Sequence, residues 1–415
     1  MEEALKAELA ALEKGLARAR EEGPLAEGRA YLQMARLLLG AEELPKADEV
    51  LLSASDIGSK LPSPPDAATG CAQARFRSAL EHARGRLEFA RGNSGAAAAR
   101  YDEALRQAVA SGDPASRAFA LLGLGVVHFE FGKLADAAHK CEEAEDLFVE
   151  AGDPTGDVAA RATLDALYEK IAGEAEVLRQ LEADIEEAKA GGDPADLARC
   201  RRAAAAVMIL GEREPDAILQ LGDAVEEFRQ AGSAAGEAMA LRLLAFAHVR
   251  LGRSAEAAKT LRDAAALYHR IARPVQEGRA RMEAAEAAVA GSDAAGAVDD
   301  LVRAAVLFEE DDDPFEAGLA QERLGEIHVA GQSWAAARDA FERALSRYEG
   351  ARIDVGDYRA GCLFNLARVL EAMKDRAGAR AAWEKSAALF RSLGDERSAK
   401  ESEEASAKMG RARNA

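Results

Sequence analysis

Five prolines stand on a forty-residue clock: Pro114, Pro154 and Pro194, then, after one skipped beat, Pro274 and Pro314. A fixed period of this length marks a repeat architecture, in which each segment is one supersecondary unit that buries its apolar face only by stacking on its neighbours. The surrounding residues keep the same time. Gly112-Asp113, Gly152-Asp153 and Gly192-Asp193 precede the first three prolines, and Gly232 and Asp313 preserve part of the signal elsewhere. Glycine suits the left-handed residue that closes a helix, aspartate caps the next helix, and proline opens it where an N–H would have no partner. Each Gly-Asp-Pro therefore predicts the end of one helix and the start of another.

Composition points the same way. Apolar residues make up 49% of the chain but aromatics only 5%, alanine is abundant and β-branched residues are sparse, so helix propensity dominates throughout. The chain reads as all-α. No long Pro/Gly/Ser linker divides it, and one elongated array accounts for its length. No stretch approaches eighteen uninterrupted apolar residues, and residues 1–22 carry acids where a signal peptide needs a basic start, so the expectation is a soluble, cytoplasmic protein without membrane insertion. Cys71, Cys141, Cys200 and Cys362 are solitary and read as buried or inert thiols, with no metal site and no cofactor implied. A formal charge of −19 argues against nucleic acid as the partner.

Each unit holds two helical patterns joined by a short turn, as in residues 316–330 and 334–349. Leu324, Gly325, His328, Ala337, Phe341 and Ala344 put small residues where two helices approach and large ones where they interlock. The frame recurs at Leu124, Gly125, His128, Ala137, Cys141 and Ala144, and again at Leu244, Ala245, His248, Ala257, Leu261 and Ala264. This pattern resembles the tetratricopeptide repeat. The resemblance implies an α-solenoid of about nine stacked helix-turn-helix repeats in a right-handed superhelix, over about 25–57, 71–112, 113–152, 153–192, 193–232, 233–272, 273–312, 313–354 and 355–395. The family's usual unit is 34 residues. The longer unit here resembles a lengthened subclass, with a further aromatic near the end of the second helix: Phe148, Phe228, Tyr268, Phe308, Tyr348 and Phe390.

Three segments lie outside the frame. Leu5, Leu9, Leu12 and Leu16 recur at helical spacing, so residues 1–24 form an amphipathic helix capping the first repeat. Residues 396–415 are a polar terminal helix and tail, and the proline-rich stretch 58–70 is a loop. The fourth repeat departs from the pattern, with Asp165, Val177 and Asp184 at positions normally small.

Motifs for catalysis are missing: there is no Walker phosphate loop, no dinucleotide fingerprint, no H-E-x-x-H and no G-x-S-x-G, which counts against an enzyme. His128, His248 and His328 share one repeat position but lie repeats apart, too far to share a metal ion, and read as packing residues. In the resembled family, first helices line a concave groove. Its positions carry over here to Phe119, Leu122, Val126 and Phe129, to Arg199, Arg202, Ala206 and Ile209, to Met239, Arg242, Phe246 and Val249, and to Arg279, Met282, Glu286 and Val289. Further first-helix arginines include Arg75, Arg77, Arg84, Arg86 and Arg91, whereas acids such as Glu142, Glu143 and Asp146 crowd the second helices.

The implied partner-binding set is Arg199, Arg202, Arg242, Arg279, Met239, Phe246, Met282, Phe119 and Phe129. It predicts a non-catalytic scaffold or adaptor for a protein or peptide segment with acidic and apolar residues. A peptide-responsive regulator resembling pheromone receptors is the alternative.

Overall fold

The computed structural model describes residues 2–171, 175–351 and 353–411. Among them the secondary structure is helix joined by short turns, in two compact units, Met1–Gly236 and Glu237–Ala415. The first unit holds α1 (Glu2–Glu22), α2 (Pro24–Gly40), α3 (Leu44–Lys60), α4 (Ala67–Ala90), α5 (Ser94–Ser111), α6 (Pro114–Glu130), α7 (Leu134–Ala151), α8 (Pro154–Ile171), α9 (Ala175–Gly191), α10 (Pro194–Leu210) and α11 (Glu214–Gln230). The second begins within α12 (Ala234–Arg250) and continues through α13 (Ser254–Arg270), α14 (Pro274–Ala290), α15 (Ala294–Glu310), α16 (Pro314–Ala330), α17 (Trp334–Glu349), α18 (Gly356–Ala372), α19 (Arg376–Ser392) and α20 (Glu396–Arg411).

The predicted punctuation is realised atom by atom. Asp113 accepts from the Ser116 N–H at 2.9 Å, Asp193 from Ala195 at 2.9 Å and Asp313 from Glu316 at 3.1 Å, each with proline opening the helix behind it. Asp313 is thus the cap within the acidic run 309–313, and Glu309 pairs with Arg347 at 2.7 Å. The backbone, however, repeats at half the period of the prolines. A left-handed residue closes a helix at Gly92, Gly112, Gly132 and Gly152, and every twenty residues from Gly192 through Glu212, Gly232, Gly252, Ala272, Ser292 and Asp312 to Gln332. Position 172 lies outside the described residues.

Helices pair in sequence and bury small residues against large ones. A Cβ added to Gly325 of α16 would stand 2.7 Å from the Phe341 ring of α17, and one on Gly318 would stand 2.6 Å from Tyr348. Gly278 faces Phe308 in the same way at 2.7 Å. The aromatics that lengthen the repeat are therefore core: Phe148, Phe228, Tyr268, Phe308 and Tyr348 are all fully buried. These contacts belong to a tetratricopeptide-type α-solenoid.

At the N-terminus Leu5, Leu9, Leu12 and Leu16 are half-buried between exposed neighbours on α1, which packs on α2. The proline-rich connection is shorter than the sequence suggested. α3 continues to Lys60 and α4 starts at Ala67, because Pro62 sterically restricts only the residue before it and Asp66 caps α4 through the Thr69 N–H at 2.7 Å. At the other end α20 packs on α19 and buries Ala399 and Ser402.

The fourth repeat is built differently. α8 packs on α7, α9 packs on α10, and α7 also meets α10 directly.

Candidate partner-binding face

In the first unit, the first helices of successive repeats enclose a cavity of about 430 Å³, open to solvent. α6 contributes Phe119, Leu122 and Val126, while α4 contributes His82, Arg86 and Phe89, most of them forty residues from an α6 equivalent. His82 packs its ring 5.6 Å from Phe119 and 5.5 Å from Tyr101 of α5, and Phe119 meets Phe148 edge-on at 4.8 Å. Burial, then the positive fields of Arg86 and Arg36, pushes His82 down to about 3, so it is neutral at ordinary pH. Phe129, expected on the same face, lies under the Lys170 ammonium at 4.2 Å.

Arg202 corrects the sequence reading. It is 2% exposed and lies inside the unit: Nη1 donates to Asp146 at 2.7 Å, Nη2 donates to the Glu142 carbonyl at 3.1 Å, and Nε pairs with the Glu142 carboxylate. Tyr168 donates its hydroxyl to the same carboxylate at 2.6 Å, and Phe228 lies beneath the guanidinium at 5.4 Å. Glu142 and Asp146, two of the acids that crowd the second helices, are buried with it. Beside the fourth repeat α7 and α10 meet directly, and they do so through these charged side chains. Arg199 pairs with Asp196 on its own helix and lies 3.7 Å from Asp146. Nearby, Cys200 sits 3.7 Å from His139, and burial pushes its thiol up to about 11, so it stays protonated.

In the second unit the arginines tie first helices to one another. Arg242 of α12 grips Glu283 of α14 with both Nε, at 3.0 Å, and Nη2, and Arg279 of α14 reaches Glu316 of α16 at 3.1 Å. Met239 and Met282, expected to receive partner side chains, are buried in the core, since helix twist turns their positions inward. Among the residues that α12 and α14 expose are Phe246 (49%), Val249 (47%) and Val289 (49%), the two valines forty residues apart, beside the charged Arg250 and Glu286.

Of the nine expected residues, then, Phe246 is open to a partner and Phe119 lines a cavity. The arginines are engaged within the fold, and both methionines are core. His82, Arg86 and Arg36 went unassigned, although the register contains them. Moving the groove positions of α6 back one repeat gives His82, Arg86 and Phe89, and one further repeat, past the inserted loop, gives Arg36.

Tandem helix pairs, small residues set opposite large ones and an aromatic near the end of most second helices give this chain a tetratricopeptide-like α-solenoid fold. No protein-family model matches the chain, and no curated protein matches it. Among solved structures it is similar to BtubC from P. vanneervenii, with 17% identity over 52% of this chain and 91% of that one at a TM-score of 0.43. It is also similar to a Rap protein complexed with competence and sporulation factor (15% identity, 93% and 98% covered, TM-score 0.37) and to the P58(IPK) TPR domain (14%, 94% and 99%, TM-score 0.28). Likeness at this level concerns helix arrangement and says nothing of partner or activity.

Proposed function

We propose that the chain is a non-catalytic scaffold that holds a peptide or protein segment against its first helices. The carrying observation is the half-exposed set Phe246, Val249 and Val289 on α12 and α14. Neighbouring first helices stand about 10 Å apart, and an extended segment covers that distance in about three residues, so every third side chain meets an equivalent position. Apolar contacts supply most of the affinity, because Arg242 and Arg279 already hold carboxylates and an acidic partner must displace them. The four free thiols suit a reducing compartment, and we place the scaffold in the cytoplasm as an adaptor.

The test is affinity capture from cell extract by wild type, by a Phe246→Ser/Val249→Ser/Val289→Ser variant, and by a Val302→Ser/Val306→Ser variant of the exposed α15 face. Each lost anchor should cost about 1–2 kcal/mol, so the first variant loses its partner and the second retains it. Equal recovery by all three overturns the proposal.

A further inference from the structure

Two arginines of the first unit have nothing to hold. Arg36 on α2 and Arg86 on α4 directly follow Ala35 and Gly85, the equivalent small residues of the first two repeats, so they share one register on adjacent repeats. Among the described residues neither has a hydrogen bond or an ion pair. Acids on α3 and α4 are committed to other partners: Glu81 to Arg84 and Arg100 at 2.8 and 2.9 Å, Glu88 to Asn93 at 2.9 Å, and Asp48 to Arg91 at 2.6 Å. The two are close enough that desolvation and then the field of Arg86 lower the Arg36 guanidinium from its ordinary value.

Arg86 lines the 430 Å³ cavity, and so does Tyr101. Tyr101 is only 4% exposed, yet its hydroxyl has no hydrogen-bond partner among the described residues. Burial foremost pushes that phenol up to about 12, so it remains a proton donor. Apart from the imidazole of His82, the rest of the wall is apolar, with Leu39, Phe89, Phe119, Leu122 and Val126 its larger members.

We infer that this cavity binds a phosphomonoester carried on an aromatic or similarly bulky apolar body. Two uncompensated guanidiniums match a dianion, whereas a single carboxylate leaves one positive charge unpaired. A phosphate ester presents three strong acceptor oxygens at a charge of about −1.5 to −2, enough for two guanidinium forks and one phenol hydroxyl. The apolar wall receives the body, and the volume is that of a small-molecule site. The inference goes beyond the peptide-holding role, since the cavity is complete within the first unit. The same chemistry can arrive as a free ester or on a phosphorylated aromatic side chain.

Calorimetric titration of the full chain decides the matter, with phenyl phosphate, inorganic phosphate, phenol, and a hexapeptide with or without phosphotyrosine as probes. Phenyl phosphate should bind at least about tenfold more tightly than inorganic phosphate or phenol. Arg86→Gln and Arg36→Gln should each weaken it by roughly tenfold or more, and Tyr101→Phe by a few fold. Arg343→Gln, an exposed arginine on α17 with no ion pair among the described residues, should leave it unchanged. Melting curves by circular dichroism verify that each variant is folded, and losing one of two like charges should not lower the transition. Tighter binding of the phosphopeptide than of phenyl phosphate assigns the headgroup to a chain; equal or weaker binding assigns it to a free ester, and both keep the site. Phenol binding as tightly as phenyl phosphate, no saturable binding of either phosphorylated probe, or an unchanged affinity in folded Arg86→Gln overturns the inference.

Discussion

Arg202 shows how one side chain's role depends on what its helix meets. Removing it strands Glu142 and Asp146 inside the first unit, and loss of one partner from a buried ionic cluster costs about 3–5 kcal/mol. Arg202→Ala should therefore lower the urea midpoint strongly, and Arg242→Ala, whose partner Glu283 is partly exposed, should lower it by about 1 kcal/mol or less. Glu145 of the same cluster is pushed up to about 7, chiefly by burial, with Arg161 and Arg202 pulling it down. Its folded value lies above its unfolded one, so between pH of about 4.5 and 7 the folded chain holds the extra proton, and stability falls as pH rises through that window. His82, His128, His139 and His248 are all depressed by burial and act in the opposite sense, adding stability as pH rises toward their unfolded value. The difference between wild type and Glu145→Gln isolates the carboxyl. The variant should gain on wild type between pH 5 and pH 7.5, and a constant difference in urea midpoint would count against the assignment.

At the scale of the element, turns and crossing points carry opposite demands. Ala272 closes α13 at φ 54°, a conformation that costs a side-chain-bearing residue about 1 kcal/mol, so Ala272→Gly should raise the melting temperature. Gly318 has Tyr348 at its crossing point and Gly361 of α18 has open space, so one substitution should have two signs. Gly318→Ala destabilises by about 1–3 kcal/mol through overpacking, and Gly361→Ala stabilises by about 0.5–1 kcal/mol through helix propensity. Calorimetric melting of both variants checks the contrast. The caps and crossing points were legible in the sequence because Asp113-Pro114 and Leu324-Gly325 state their geometry locally. The half-period was not, because Glu212, Ala272, Ser292, Asp312 and Gln332 adopt left-handed backbone without the glycine that advertises it. The site was legible only as a register. Whether Met239, Met282 or Arg202 faces inward depends on helix rotation and on α7 meeting α10, and neither is written at those residues.

For the whole molecule, the division into two compact units makes one label informative. The chain's two tryptophans, Trp334 and Trp383, both lie in the second unit, so their fluorescence reports that unit while circular dichroism reports both. Arg202→Ala should shift the dichroism transition and leave the fluorescence midpoint in place, and Gly318→Ala should move the fluorescence midpoint. Equal shifts by both probes would show a single cooperative unfolding. The recurrence of a left-handed turn at every twentieth residue also governs how such a chain can change its length. Splicing out forty residues between equivalent turns keeps first and second helices alternating in order, whereas splicing out twenty would exchange first and second helices from that point onward. Under the role we propose, reach along a bound segment is thereby quantised, growing or shrinking by one hairpin, or about 10 Å, at a time.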